Sequence, residues 1–389
     1  MKIFYICKID LSRMNSETVH LVEVAENLRK LGQEVIVFAP AIGRFYRSTS
    51  IKIKYVPTVI FLKVFQTFFY QFSLFFYLIY YIFKLRPDII YCRMGPFTII
   101  TVLIAKIFKK PYFAEVNGFF PEDLVIYNKA SYLTLFISSL IERFNYLFAD
   151  KITVVTSEIK YLLCKKYNLE INKVIIIPNG ANIDIFKSMD TLMCRESLKL
   201  EKNQYYVGFI GNFAPWQGIE YLIRAIPKVL EKINNIKFFI VGSGIQEKNL
   251  IQIVNELSLN NVIIFPGSVS YEKISLHINA FDICVAPFIS ISKRKNPGSP
   301  LKLYEYLACG KAVVVSDAGS VGELVRENNC GLAVTPEDSD ALAEAILRLI
   351  KDKNLRDQMG KNGRRIVEEK YSWRNVAQKT LEVCRSIVR

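Results

Sequence analysis

Residues 297–316 run from Pro297-Gly298-Ser299-Pro300 through Leu301-Lys302-Leu303-Tyr304-Glu305 to Gly310 and the apolar stretch Ala312–Ser316. That order describes a tight loop, a short helix with one carboxylate, a glycine stop and a buried strand. A helix N-terminus behind such a loop presents N–H groups with no intrahelical partner and the positive end of its dipole, which suits a phosphate. Glu305, one turn in, would repel that phosphate but could accept hydrogen bonds from sugar hydroxyls. A diphosphate loop beside a hydroxyl acceptor is the chemistry of a nucleotide-sugar site. The same pattern also serves as an ordinary βα connection, so the remaining sequence has to discriminate.

The chain has 389 residues, 51% apolar and 22% charged, which is globular in composition and long enough for two domains. Its eight cysteines include no CxxC pair and no metal spacing, and several sit in apolar runs, as reduced core thiols do. Two histidines in all argue against a histidine metal site or a Ser-His-Asp hydrolase. Met1–Cys7 turns polar at Lys8 and is expected to be a first strand, not a signal peptide. Of the net charge of +15, residues 1–110 supply +10, with 16 Lys/Arg against 6 Asp/Glu. Such a basic third could face nucleic acid or an anionic membrane, or simply be solvated. No nucleic-acid recognition motif accompanies it, so nucleic acid is not expected as a partner.

The elements that must position this chemistry alternate between apolar runs and helix-period segments. Strands are expected at Lys2–Cys7, Val35–Ala39, Lys52–Pro57, Asp88–Arg93, Tyr112–Asn117, Lys151–Thr156 and Val174–Pro178. A second series follows at Tyr205–Gly211, Ile236–Gly242, Val262–Gly267, Ile283–Pro287, Ala312–Asp317 and Gly331–Pro336. The strands lack alternation, as expected where both faces of a parallel sheet are covered. Ser16–Leu31 is expected to be a helix with Ser16 as its N-cap and Gly32 at its end. The expected architecture is α/β: two Rossmann-like, doubly wound parallel-sheet domains facing a cleft, over residues 1–186 and 187–370. Residues 371–389 form an amphipathic helix, capped by Ser372, expected to pack back across the domain boundary.

Val64–Phe83 carries no charge and is long enough to cross a bilayer. At helical spacing Phe61, Phe65, Phe68, Phe72, Phe76, Ile79 and Phe83 share one face, expected to pack on the first sheet. Lys63, Tyr70, Tyr77, Tyr81 and Lys84 fall opposite, together with Gln66 and Ser73. They are expected to meet the headgroup zone of an anionic membrane, assisted by Lys52, Lys54, Lys106, Lys109 and Lys110.

Taken together, these segments resemble the retaining GT-B glycosyltransferases of family 4, over nearly the whole chain. Ile177–Phe186 is similar to the family's segment before its interdomain linker. Gly208–Asn212 with Trp216–Ile223 resembles the first donor-side strand, loop and helix, and Ile240–Gly244 the following glycine turn. Phe265–Val269, Ala280–Pro287, Asp317–Glu323 and Gly331–Val334 resemble the segments that close the donor domain. The resemblance implies a GT-B fold and transfer of a sugar from a nucleoside diphosphate sugar with retention. No cofactor is implied beyond that donor, and no metal is expected. Donor binding would fall to Gly211, Asn212, Gln217, Gly242, Gly298, Ser299, Leu301 and Glu323, and chemistry to Lys302, Glu305, Glu115 and Asn117. Asn15 and Ser16 would form the acceptor-side loop.

The chain departs from the family pattern at several of these positions. Pro297 stands where the family has the first of two glutamates, Glu305 being the second. Asn212 and Gln217 replace the usual Arg and Lys, Asn117 replaces a histidine, and Met14-Asn15-Ser16 replaces a Gly-Gly loop. Lys302 would then supply the cation that the diphosphate needs. The aromatic, basic first domain implies a lipid-linked saccharide acceptor at the cytosolic membrane face, as in surface polysaccharide or glycolipid assembly. An inactive GT-B subunit or scaffold of another transferase is the alternative reading.

Overall fold

The computed structural model describes residues 1–43, 50–59, 63–95, 97–118, 132–293 and 298–388. The chain divides into two compact units: Met1–Asn179 with Lys295–Ser299 and Trp373–Arg389, and Gly180–Arg294 with Pro300–Ser372. Residues 180–186, assigned to the first domain on sequence, therefore cluster with the second. Pro297 lies outside the described residues.

The first unit holds a parallel sheet of β1 (Lys2–Ile6), β2 (Glu34–Pro40), β3 (Lys52–Val56), β4 (Ile89–Arg93), β5 (Tyr112–Val116), β6 (Lys151–Val154) and β7 (Val174–Ile176). Their order is β3-β2-β1-β4-β5-β6-β7, so strand order reverses direction between β1 and β4. In register, Phe4 lies between Ile36 and Ile90. Every residue of β4 and β5 is buried, which is why these strands show no alternation. Its helices include α1 (Ser16–Lys30), α2 (Lys63–Leu85), α3 (Ile100–Ile107), α4 (Tyr132–Phe148) and α5 (Ser157–Tyr167). The cap of α1 is Asn15, whose side chain accepts from the Thr18 N–H at 3.0 Å. Ser16 is thus the first helical residue and not the cap. Both residues are exposed, and the Asn15 side-chain oxygen is engaged in the cap.

The second unit repeats the winding with β8 (Tyr205–Ile210), β9 (Ile236–Val241), β10 (Ile263–Ile264), β11 (Ile283–Ala286), β12 (Ala312–Ser316) and β13 (Gly331–Val334). The order is β10-β9-β8-β11-β12-β13, all parallel. Around it lie α6 (Thr191–Ser197), α7 (Ile219–Leu230), α8 (Glu247–Glu256), α9 (Tyr271–Ala280), α10 (Leu301–Ala308), α11 (Ser320–Glu327), α12 (Ser339–Lys351) and α13 (Lys353–Lys370). A single core joins Val207, Phe209, Phe238, Ile240, Val285 and Val314 of the sheet to Ile223 and Ile346 of the helices. The last helix, α14 (Trp373–Ile387), belongs to the first unit and packs on α1.

One sequence expectation is inverted. The Phe stripe of α2 faces outward: Phe68, Phe72, Phe76 and Phe83 are 65%, 55%, 54% and 69% exposed. Tyr70, Leu74, Leu78 and Ile82 point into the core instead. The reason is that α2 is apolar on both sides, so polar partners decide its rotation. The Tyr70 hydroxyl donates to the Cys7 carbonyl at 2.6 Å, at the end of β1. Gln71 accepts from the Ile99 and Ile100 N–H groups at 3.3 and 3.1 Å, at the start of α3. Of the five residues expected to face a membrane, Tyr70 is buried, Tyr77 and Tyr81 are half-buried and Lys84 is exposed. Phe61 and the side chains of Lys63 and Phe65 lie outside the described residues.

Candidate functional site

In the second unit five of the candidates, Gly211, Asn212, Gln217, Gly242 and Lys302, gather at the C-terminal ends of β8 and β9, beside the point where strand order reverses. Open α/β sheets bind ligands at such points. Gly211 and Gly242 follow the two strands with φ of +151° and +137°, a region that side chains rarely adopt. A Cβ on Gly211 would collide with the Lys302 ammonium, and one on Gly242 with the Gly211 carbonyl. These glycines let Lys302 approach the strand end. Its Nζ donates to Gln217 Oε1 at 2.8 Å and lies 3.7 Å from the centroid of the Phe209 ring. Gln217 in turn donates to Asn212 Oδ1 at 2.8 Å. The structure thus joins Lys302 to the two neutral side chains at the Arg and Lys positions of the resemblance.

Lys302 and Glu305 are both buried and stand three residues apart on α10, hence on one helix face. No side chain caps the N-terminus of α10, which begins at Leu301. Tyr306 fixes this helix to β8: fully buried, its hydroxyl accepts from the Ile210 N–H at 2.7 Å and faces the Ile210 carbonyl at 3.3 Å. Burial raises the Tyr306 pKa well above its ordinary value, so the hydroxyl stays neutral. Tyr306→Phe leaves a buried N–H unsatisfied. It is expected to cost about 1–3 kcal/mol, read as a lower urea midpoint at unchanged slope. Glu323 lies exposed in the first turn of α11. Gly298 and Ser299 cluster with the first unit, where Asn179 donates from its side chain to the Ser299 carbonyl at 2.6 Å.

The acceptor-side candidates sit at the end of β5. Glu115 is buried and bonded on every side. It accepts from the Tyr5 hydroxyl at 2.7 Å, from Arg93 at 2.6 Å, and from the Tyr91 hydroxyl and the Asn117 amide. His20 of α1 pairs with it at 2.8 Å through Nε2, and its Nδ1 meets Asn179 Oδ1 at 2.7 Å. Burial alone would raise the Glu115 pKa. The charges of His20 and Arg93 and the hydrogen bonds outweigh it, holding the carboxyl well below the ordinary range. Such a carboxylate is a poor proton acceptor for a substrate. Its evident work is to fix His20, Arg93 and Asn117, of which Asn117 is half-buried. The cavity beside His20 and Glu115 measures about 10 Å³, room for one water and not for a sugar.

His20, Arg93, Tyr5 and Tyr91 were not among the residues singled out on sequence, since no local motif links them. Lys8 was missed as well. It ends the first strand run, its Nζ donates to Thr67 at 2.6 Å, and burial lowers its pKa to about 8. Among the described residues no group of three or more His, Cys, Asp or Glu side chains is placed to hold a metal.

Two doubly wound parallel α/β units define the GT-B class of fold. Solved structures agree: Anabaena HepE in complex with UDP superposes with a TM-score of 0.77 at 20% identity, over 99% of this chain and 100% of that one. The Glycosyltransferase Family 4 model matches residues 18–185 and the Glycosyl transferases group 1 model residues 191–366. Between them they account for most of the chain, which belongs to the GT-B glycosyltransferases. It is 27% identical to an uncharacterised glycosyltransferase of Methanocaldococcus jannaschii over 310 residues, 77% of this chain and 75% of that one. It is 26% identical to the lipopolysaccharide 1,2-N-acetylglucosaminetransferase of Salmonella typhimurium over 53% of this chain and 55% of that one.

Proposed function

We propose that this glycosyltransferase moves a sugar from a nucleoside diphosphate sugar, with retention, to a lipid-linked saccharide at the cytosolic face of a membrane. The observation that carries the donor half is the Lys302–Gln217–Asn212 chain at the end of β8. As the bond to the sugar breaks, negative charge grows on the leaving diphosphate. Lys302 and the backbone N–H groups at the start of α10 are the groups that meet it. Gln217 and Asn212 hold the ammonium in place and contribute dipoles. Glu305 accepts hydrogen bonds from donor hydroxyls. The acceptor hydroxyl attacks the face that the diphosphate leaves, and the departing phosphate oxygen takes its proton. No protein base is then required, which accommodates the asparagine at position 117. The UDP bound by HepE and the lipopolysaccharide of the Salmonella relative support the donor and acceptor classes.

Thermal unfolding with UDP, GDP and their sugars tests the donor half. A ligand at 100 times its Kd stabilises the fold by about 2.7 kcal/mol. A selective shift identifies the nucleotide. Absence of any shift favours the silent-subunit reading, which the neutral Asn212 and Gln217 would then explain.

A further inference from the structure

We propose that the outward face of α2, continued by the outer sides of α3 and α4, docks on an anionic lipid bilayer with α2 lying in the plane of the interface. The inference deepens the membrane-side reading above and rests on it for its purpose. It assigns the contact to a different face from the one the sequence indicated.

The outward side of α2 carries an aromatic ridge. The rings of Phe68 and Phe72 are 6.4 Å apart and those of Phe72 and Phe76 5.1 Å. Phe83 meets Phe108, just past the end of α3, at 5.4 Å. Ile107 is also exposed, and on α4 so are Leu133, Phe136 and Leu140. These three helices form one layer. All contribute to the core over the first sheet. They also meet at one corner, where Gln71 binds the start of α3 and Asn145 of α4 donates to the Thr98 carbonyl at 2.6 Å. Their exposed apolar side chains therefore line the outer side of a single helical layer, a patch far larger than scattered surface residues produce.

Charge selects the occupant. No Asp or Glu occurs between Lys63 and Leu85, and the exposed charges bordering the ridge include Lys84, Lys106, Lys109 and Arg143. Lys106 pairs with Asp150 at 3.4 Å. Two copies of such a face would bring like charges together, whereas anionic headgroups complement it. Tyr80 and Lys84, hydrogen-bonded at 2.8 Å, stand on the outward side with amphipathic groups suited to the headgroup zone.

The helix lies on the bilayer and does not cross it. Gln66–Leu85 is long and apolar enough to span, at a mean hydropathy of 1.3, but only 28% of it is buried, unlike a core helix. Its inner stripe is committed to the sheet through Leu74, Leu78 and the Tyr70 hydrogen bond. An apolar outer face on a helix so anchored inserts to shallow depth.

Sedimentation with vesicles of phosphatidylcholine and phosphatidylglycerol, free of any acceptor lipid, tests the docking. The full chain is expected to bind these vesicles and to bind pure phosphatidylcholine much more weakly. The double variant Phe72→Ser/Phe76→Ser, at exposed positions, is expected to lose at least about tenfold in vesicle affinity. Its near-ultraviolet circular dichroism and its turnover of a soluble acceptor should match the parent. The proposal is overturned if the parent fails to sediment with anionic vesicles, or if the variant binds as the parent does. A parent dimer that dissociates in the variant, without vesicle binding, assigns the face to a second copy and also overturns it. Absent turnover with vesicle binding intact would sink the transferase reading alone.

Discussion

Lys302→Ala is expected to lower kcat for sugar transfer by about 10²–10³-fold, the usual loss when one preorganised charge-stabilising donor is removed. The reason lies in how the ammonium is held. It is buried, hydrogen-bonded to Gln217 and seated over the Phe209 ring. The flanking Gln217 and Asn212 are neutral, so truncating Lys302 removes the cation this cluster offers a diphosphate. The thermal shift given by the preferred nucleotide should shrink in parallel. Because Gln217 Oε1 is 2.8 Å from the ammonium, adding Gln217→Lys to the alanine variant should return a cation to nearly the same place and recover part of the rate. Steady-state turnover of the nucleotide sugar decides the matter. A Lys302→Ala enzyme with parental kcat would remove the proposed role.

The second large effect concerns stability. Glu115→Gln should destabilise the first unit by about 3–5 kcal/mol, because it strands the buried Arg93 guanidinium without its counter-charge. The pH dependence follows from the direction of the shift. The folded state holds the Glu115 carboxyl well below its ordinary range, so the unfolded chain binds the proton more readily. The contribution is complete above the unfolded pKa of about 4.3 and is lost as pH falls below it toward the folded value. Urea midpoints measured between pH 7 and acid should therefore drop more steeply for the parent than for Glu115→Gln. Parallel acid limbs would show that the carboxylate is not the linked group.

The fold was legible because both sheets are parallel and covered on both faces. Runs such as 89–92 and 312–315 are continuous in apolar residues and announce themselves. The rotation of α2 was not legible, since a helix apolar all round leaves orientation to single polar contacts such as Tyr70 with Cys7. The cap of α1 was misplaced by one residue because Asn15 and Ser16 are both good caps. On the donor side, Lys302 and Gln217 could be nominated separately, but their hydrogen bond spans 85 positions and no local pattern encodes it. The Glu115 network was least visible. Its donors come from β1, α1, β4 and the turn after β5, elements that only the folded sheet brings to one carboxylate.

The return of α14 to the first unit has a consequence for how the protein is made. Trp373 of that helix sets its indole edge-on to the His20 ring at 5.2 Å, against a helix from the opposite end of the chain. During synthesis most of the first unit emerges before the second, yet the helix that covers α1 follows only after the second unit. Until then the apolar side of α1 has no lid, and closing it brings together segments as far apart in sequence as His20 and Trp373, a slow kind of contact. The nascent first unit is therefore a natural client for chaperones. Chains released just short of Trp373 should be the fragments that proteases remove first.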